Sequence, residues 1–151
     1  YVTTVANSGT CYNLTLIDRI EDAEGNIVLQ NHAHVRNTLN FADSTWDSIH
    51  TGMRQVIENK KYYAGVEVSV AGKTGTAQES RTRPNHALFV CYAPYESPEI
   101  AIATRIEYGY TSDYAAETTR DVIKYYFGLA SQEELVTGTA DSIQASGVRT
   151  D

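Results

Sequence analysis

The chain has 151 residues, a formal net charge of -7 and a 42% share of hydrophobic residues. That length suits one domain with a real core and is too short for two. The acidic balance leaves no basic stripe to neutralise phosphates, which argues against a nucleic-acid partner, and no apolar run approaches the length of a membrane span. Eleven Tyr stand against three Phe, which reads as ordinary packing on strands and helices. Two cysteines, Cys11 and Cys91, set no disulfide framework, and two buried thiols are expected. Tyr1 is not an initiator Met and no signal peptide opens the chain, so it reads as a processed or excised piece of something longer.

Residues 1–10 read as the end of a helix, with Val2 and Val5 at helical spacing and Asn7-Ser8-Gly9 as the stop. Residues 11–20 and 27–29 flank the polar Asp22-Ala23-Glu24-Gly25-Asn26 turn and predict a hairpin. Residues 31–41 are polar and read as loop; His32 and His34 could share a strand face, but no further ligand completes a metal site there. Residues 44–59 form the clearest helix, capped by Ser44 with Asp47 near the capping-box position, and with Trp46, Ile49, Met53, Val56 and Ile57 on one stripe. Gly52 inside it costs about 1 kcal/mol relative to Ala and is expected to mark close packing. His50 beside the stripe reads as a partly buried helix histidine.

Val66, Val68 and Val70 alternate with Glu67, Ser69 and Ala71, the period of a half-buried strand, which runs on into Gly72-Lys73-Thr74-Gly75-Thr76. A polar loop over residues 79–85 carries Arg81 and Arg83, either steering an anionic peptide end or simply solvated. Residues 86–93 and 99–107 are two further strands joined by a connection with Pro94 and Pro98 at its ends. The closing helix over residues 113–127 buries Ala115, Ala116, Thr119, Val122, Ile123 and Tyr126, and Gly128 stops it. A polar tail over residues 129–151 holds one short amphipathic turn at 133–136.

The stretch over residues 68–78, VSVAGKTGTAQ, carries the chemistry. A phosphate-binding loop would need a glycine five positions before Gly72, where Glu67 stands, and a helix after Thr74, where Gly75 interrupts. Regular alternation puts Thr74 and Thr76 on one face of the strand and Lys73 on the other. A strand edge offering main-chain N–H groups, one ammonium and two hydroxyls suits a peptide carboxylate.

Lys73-Thr74-Gly75, followed in order by HALFVCYAP, PEIAIATRIEYG and a helix, resembles the third motif of the penicillin-recognising transpeptidases, in particular the monofunctional (class B) penicillin-binding proteins. The resemblance covers residues 1–128, which read as the C-terminal part of a transpeptidase domain, with 129–151 as its tail. It implies an α+β fold, an antiparallel sheet with helices packed on it. The two other motifs of the family, Ser-x-x-Lys and Ser-x-Asn, do not occur in the chain.

What the resemblance implies for the residues present is specific. Lys73 supplies positive charge beside the serine of the second motif and helps hold the substrate carboxylate. The hydroxyls of Thr74 and Thr76 bind that carboxylate, or the matching acid of a β-lactam. The Thr76 N–H is one of two oxyanion-hole donors, Gly75 keeps the groove open, and Ala77 and Gln78 shape its wall. The implied partners are a peptidoglycan stem peptide, β-lactams and the missing N-terminal half of the domain; no metal or organic cofactor is implied. The implied location is extracytoplasmic, behind a membrane anchor outside this chain. A β-lactam sensor or hydrolase of the same fold, and a noncatalytic binding module that lost its serine, remain as alternatives. The strand over residues 100–107, without its family neighbours, is expected to promote self-association.

Overall fold

The structure, a computed structural model, describes residues 1–136. Three consecutive strands carry the core: β5 (Ala71–Ala77), β6 (His86–Ala93) and β7 (Ile100–Ile106), antiparallel in that order. The register Gly72↔Cys91↔Ile102 and Thr74↔Phe89↔Thr104 defines one face of the sheet. Lys73↔Val90↔Ala103 and Gly75↔Leu88↔Arg105 define the other. β6 is apolar on both faces because both are covered along much of its length.

The strand expected to start at Val66 starts at Ala71. The ladder that pairs Ala71 with Tyr92 would next need an N–H from Pro94, which has none, so pairing stops there. The Tyr95 N–H instead reaches the Ser69 carbonyl at 2.9 Å. Residues 66–70 cross toward the sheet as coil, and Val66 and Val68 still pack against the core.

Helix α3 (Ser112–Tyr126) covers the Phe89 face. Thr111 caps it by accepting the Asp113 N–H, and Asp113 in the first turn and Lys124 in the last complement the helix dipole. Its buried face is Ser112, Ala115, Ala116, Thr119 and Ile123. Ala115 and Ala116 let the helix close on the sheet, and the Thr119 hydroxyl meets that of Thr104 at 2.6 Å. Val122 and Tyr126, expected in the buried stripe, are 46% and 53% exposed. The helix rests on its 112/116/119/123 row, which rotates the 122/126 row outward.

On the opposite face α1 (Val2–Ala6) and α2 (Asp43–Glu58) pack over Ala71, Val90, Tyr92 and Ala101. Two polar contacts fix α2: His50 Nε2 lies 2.8 Å from the Val5 carbonyl oxygen, and Arg54 donates to the Val70 carbonyl at 2.9 Å. The expected Ser44 cap is not formed: the helix starts one residue earlier, Ala42 is its N-cap, and no side chain bonds there. Asp43 supplies the first-turn charge, and Phe41 lies against Trp46 with ring centroids 5.5 Å apart. Gly52 does not mark close packing, since a Cβ there meets nothing within 4 Å.

The hairpin is shorter than expected. β2 (Arg19–Glu21) pairs with β3 (Ile27–Gln30) around the predicted turn, where the Asp22 carboxylate accepts the N–H groups of Glu24 and Asn26. β1 (Thr10–Tyr12) pairs instead with β4 (Val35–Thr38), inside the stretch read as loop. Asn31 sits at the break, donating to Thr15 Oγ1 and the Ile17 carbonyl and so holding residues 14–17 out of a ladder. Cys91 is buried, but Cys11 is only half-buried, and both are free thiols.

The tail begins with α4 (Gln132–Leu135), closed by a reciprocal Ser131–Glu134 capping box, one residue before the expected turn; its predicted continuation over 137–151 lies outside the described residues. Among the described residues no helix is long and apolar enough to cross a membrane.

Candidate functional site

β5 is paired on one side only, by β6; among the described residues its other edge carries no strand. Gly72 is required where the strand enters, because a Cβ there would sit 2.6 Å from Phe89 Cζ and 3.0 Å from the Val90 carbonyl oxygen. The strand then alternates as the sequence predicts, Lys73 and Gly75 on one face, Thr74 and Thr76 on the other.

The Lys73 face opens onto a shallow depression of about 290 Å³. Gly75, Leu88, Val90 and Ala103 floor it, Arg105 stands at its side, and exposed Tyr1 lies on its rim. A side chain at 75 would stand over Leu88 at 3.5 Å and narrow this space. Lys73 is exposed, and its ammonium folds along the edge to donate to the Thr74 carbonyl at 2.8 Å. Thr76 is also exposed and Thr74 partly so. Lys73 and the threonines leave opposite faces, yet an edge strand lets a ligand lying along it meet side chains from both faces and the main chain between them.

Just beyond Ala77 lies a polar cluster that sequence reasoning missed. His86, paired with Ala77 in the ladder, is buried, and its Nε2 lies 2.8 Å from Glu79 Oε2. Its Nδ1 accepts the Tyr108 N–H at 3.1 Å, and the two rings lie 4.9 Å apart. Arg83 donates to the Tyr108 hydroxyl at 2.7 Å and lies over its ring, so it is engaged within the protein. Arg81 is exposed on the same loop. The hydrogen bond from His86, with further help from Tyr108, holds the Glu79 carboxyl below the usual carboxylate range. The available signal was one polar ring opening an otherwise apolar strand, preceded by an acid seven residues earlier.

Cys91, the buried thiol of β6, is no nucleophile. Burial pushes the Cys91 thiol up to about 12, so it holds no thiolate at neutral pH. Among the described residues no group of three or more His, Cys, Asp or Glu side chains is placed to hold a metal ion.

The family model described as the penicillin-binding protein transpeptidase domain matches residues 1–124. Penicillin-binding protein 2A of Bacillus subtilis is 30% identical over 157 residues, covering 89% of this chain and 22% of that protein. Peptidoglycan D,D-transpeptidase MrdA of Haemophilus influenzae is 31% identical over 103 residues, covering 55% of this chain and 16% of that protein. Among solved structures, the imipenem acyl-enzyme complex of penicillin-binding protein A from M. tuberculosis superposes with a TM-score of 0.74 at 24% identity, over 83% of this chain and 29% of that one. This chain therefore spans roughly a fifth of its curated relatives, 22% and 16% of these two. With the α+β architecture and the Lys73-Thr74-Gly75 edge strand, these matches show that the chain belongs to the penicillin-binding protein transpeptidase family.

Proposed function

We propose that the protein carrying this chain is a peptidoglycan D,D-transpeptidase, and that β5 is the strand on which its substrate lies. The observation that carries the reading is an edge strand offering Lys73, Thr74 and Thr76 beside an open depression, in a chain of this family. A serine from the rest of the protein attacks the penultimate D-Ala carbonyl of a stem peptide. The peptide C–N bond breaks, the terminal D-Ala leaves as an amine with the serine proton, and an acyl-serine forms. An amine of a neighbouring strand then displaces the serine and completes the cross-link.

The roles proposed for this chain's residues are those the family resemblance implies, and their charge and exposure on an edge strand support them. Lys73 and the hydroxyls of Thr74 and Thr76 hold the terminal carboxylate; a β-lactam presents its own carboxylate to the same groups. The Thr76 N–H donates to the oxygen that gains charge as the carbonyl becomes tetrahedral, a contact worth about 10²–10³ in rate for one donor. Lys73 adds positive charge at the same place. The acyl-enzyme chemistry described for the M. tuberculosis relative and the activity named for MrdA support this assignment. The reading places the site outside the cytoplasm, anchored by a segment that is not in this chain.

Incubating the full-length protein with excess penicillin tests the reading. Intact mass should show one stoichiometric adduct, mapped by peptide digestion to a serine outside these residues, and the 151-residue chain alone should gain none. Absence of an adduct on the full-length protein, or an adduct within this chain, overturns the reading. Cross-linked product from a stem peptide and an amine acceptor separates a transpeptidase from a sensor.

A further inference from the structure

From the geometry around His86 we infer that the Glu79–His86–Tyr108 cluster is a positioning device for the substrate strand, holding the end of β5 where Thr76 presents its N–H; the inference rests on the transpeptidase reading above. Thr76 pairs with Ala87 and Ala77 with His86, so His86 sits at the last rung of the ladder. Beyond that rung the chain leaves β5 and returns to β6 by residue 86. Glu79 Oε2 reaches His86 Nε2 at 2.8 Å, closing the loop two residues after the strand ends.

The imidazole is itself fixed from the far side of the sheet. Its Nδ1 accepts the Tyr108 N–H at 3.1 Å, which requires the proton on Nε2 and makes that nitrogen the donor to Glu79. Arg105 Nη2 lies 3.4 Å from the same Nε2. Two N–H groups cannot bond to each other, so Arg105 acts there as a charge beside Glu79 and not as a partner of the ring. Tyr108 holds φ 53°, and its hydroxyl lies 3.3 Å from Glu79 Oε2 while accepting from Arg83. The Tyr110 N–H donates to the Asn85 carbonyl at 3.1 Å, pinning the turn after β7 to the start of β6. A Cβ on Gly109 would come within 2.9 Å of Ala87 and Ile106, so this turn fits the sheet closely.

β5 needs such support because, among the described residues, β6 alone pairs with it. Its C-terminal half carries the groups that must meet a developing oxyanion, and a displacement of about 1 Å there can cost on the order of 10²-fold in rate. The cluster ties the strand end to β6 directly and to the turn after β7 through the imidazole.

Penicillin acylation of the full-length protein, resolved into a noncovalent dissociation constant and a rate constant at saturation, is the test. Glu79 leads because its side chain is 61% exposed, so its variants should fold, whereas His86 is buried. Glu79→Ala should lower the saturating acylation rate about 10-fold or more, with a smaller change in the dissociation constant and in the thermal midpoint. Glu79→Gln keeps an oxygen to accept from Nε2 and should recover most of the parent rate. His86→Asn, which keeps an acceptor for Tyr108 but loses reach to Glu79, should resemble Glu79→Ala. An unchanged saturating rate in Glu79→Ala, beside a parent that acylates normally, overturns the inference alone; so does a Glu79→Gln no better than Glu79→Ala. A parent that takes no penicillin sinks the transpeptidase reading and this inference with it.

Discussion

Two Gly→Ala substitutions should change stability in opposite directions, and the structure assigns the signs. At Gly72 the added methyl would lie 2.6 Å from Phe89 Cζ and 3.0 Å from both Cε2 and the Val90 carbonyl oxygen. Carbon atoms prefer separations of about 3.5–4.0 Å, so the overlap with the ring is roughly 1 Å. Phe89 is 1% exposed and stacks near Tyr63 at 6.3 Å between centroids, so the ring has no free space to take. β5 and β6 must part, at a cost of about 1–3 kcal/mol for overpacking. At Gly52, inside α2, a Cβ meets nothing within 4 Å, and Ala should gain about 0.5–1 kcal/mol through helix propensity. Urea unfolding of parent and variants reads both changes. A Gly72→Ala variant as stable as the parent or more so would refute the packing argument at the entrance to β5, and a destabilised Gly52→Ala would refute the open space beside α2.

The Tyr92 hydroxyl is buried and has no hydrogen-bond partner in the structure, so Tyr92→Phe should leave stability unchanged or raise it by about 1 kcal/mol in the same assay; a loss above 2 kcal/mol would contradict this. Glu79, with its folded pKa lowered by the His86 hydrogen bond, stabilises the fold above its ordinary value of 4.5, and this contribution disappears as pH falls through the lowered value. Stability of Glu79→Gln should therefore fall short of that of the parent at pH 7 and approach it only as pH drops below 4.5 and through the lowered value, as followed by thermal unfolding across pH. The isolated chain leaves an edge of β7 unpaired among the described residues and exposes Leu14 and Leu16 almost fully. It should self-associate in sedimentation runs at rising concentration, and a monomer throughout would show that the open edge is tolerated.

Local patterns made the core legible. The alternation in β7, the unbroken apolar run of β6 and the glycine-lysine-threonine string of β5 each report their environment within a few residues. What the sequence hid depends on distant partners. Val66, Val68 and Val70 have the period of a strand, but Pro94, more than twenty residues away, ends the ladder they would have joined. Thr10–Tyr12 finds its partner in Val35–Thr38, across an intervening hairpin, and no local period announces such a pairing. The site divides in the same way. The candidate residues Lys73, Thr74, Gly75 and Thr76 are contiguous on one strand, so a local motif was enough to propose them. His86, Glu79 and Tyr108 come from three segments that meet only when the loop after β5 folds against the turn after β7.

The most direct test of the account is the penicillin acylation rate of the full-length protein carrying Lys73→Ala. Lys73 is exposed and its ammonium donates along its own strand to the Thr74 carbonyl, so removing it should leave the unfolding midpoint unchanged. On the role proposed for it, a charge beside the substrate carboxylate and the developing oxyanion, its removal should slow acylation by about 10²-fold or more. A rate within a few-fold of the parent, in a folded variant, would contradict the assignment of β5 as the substrate strand.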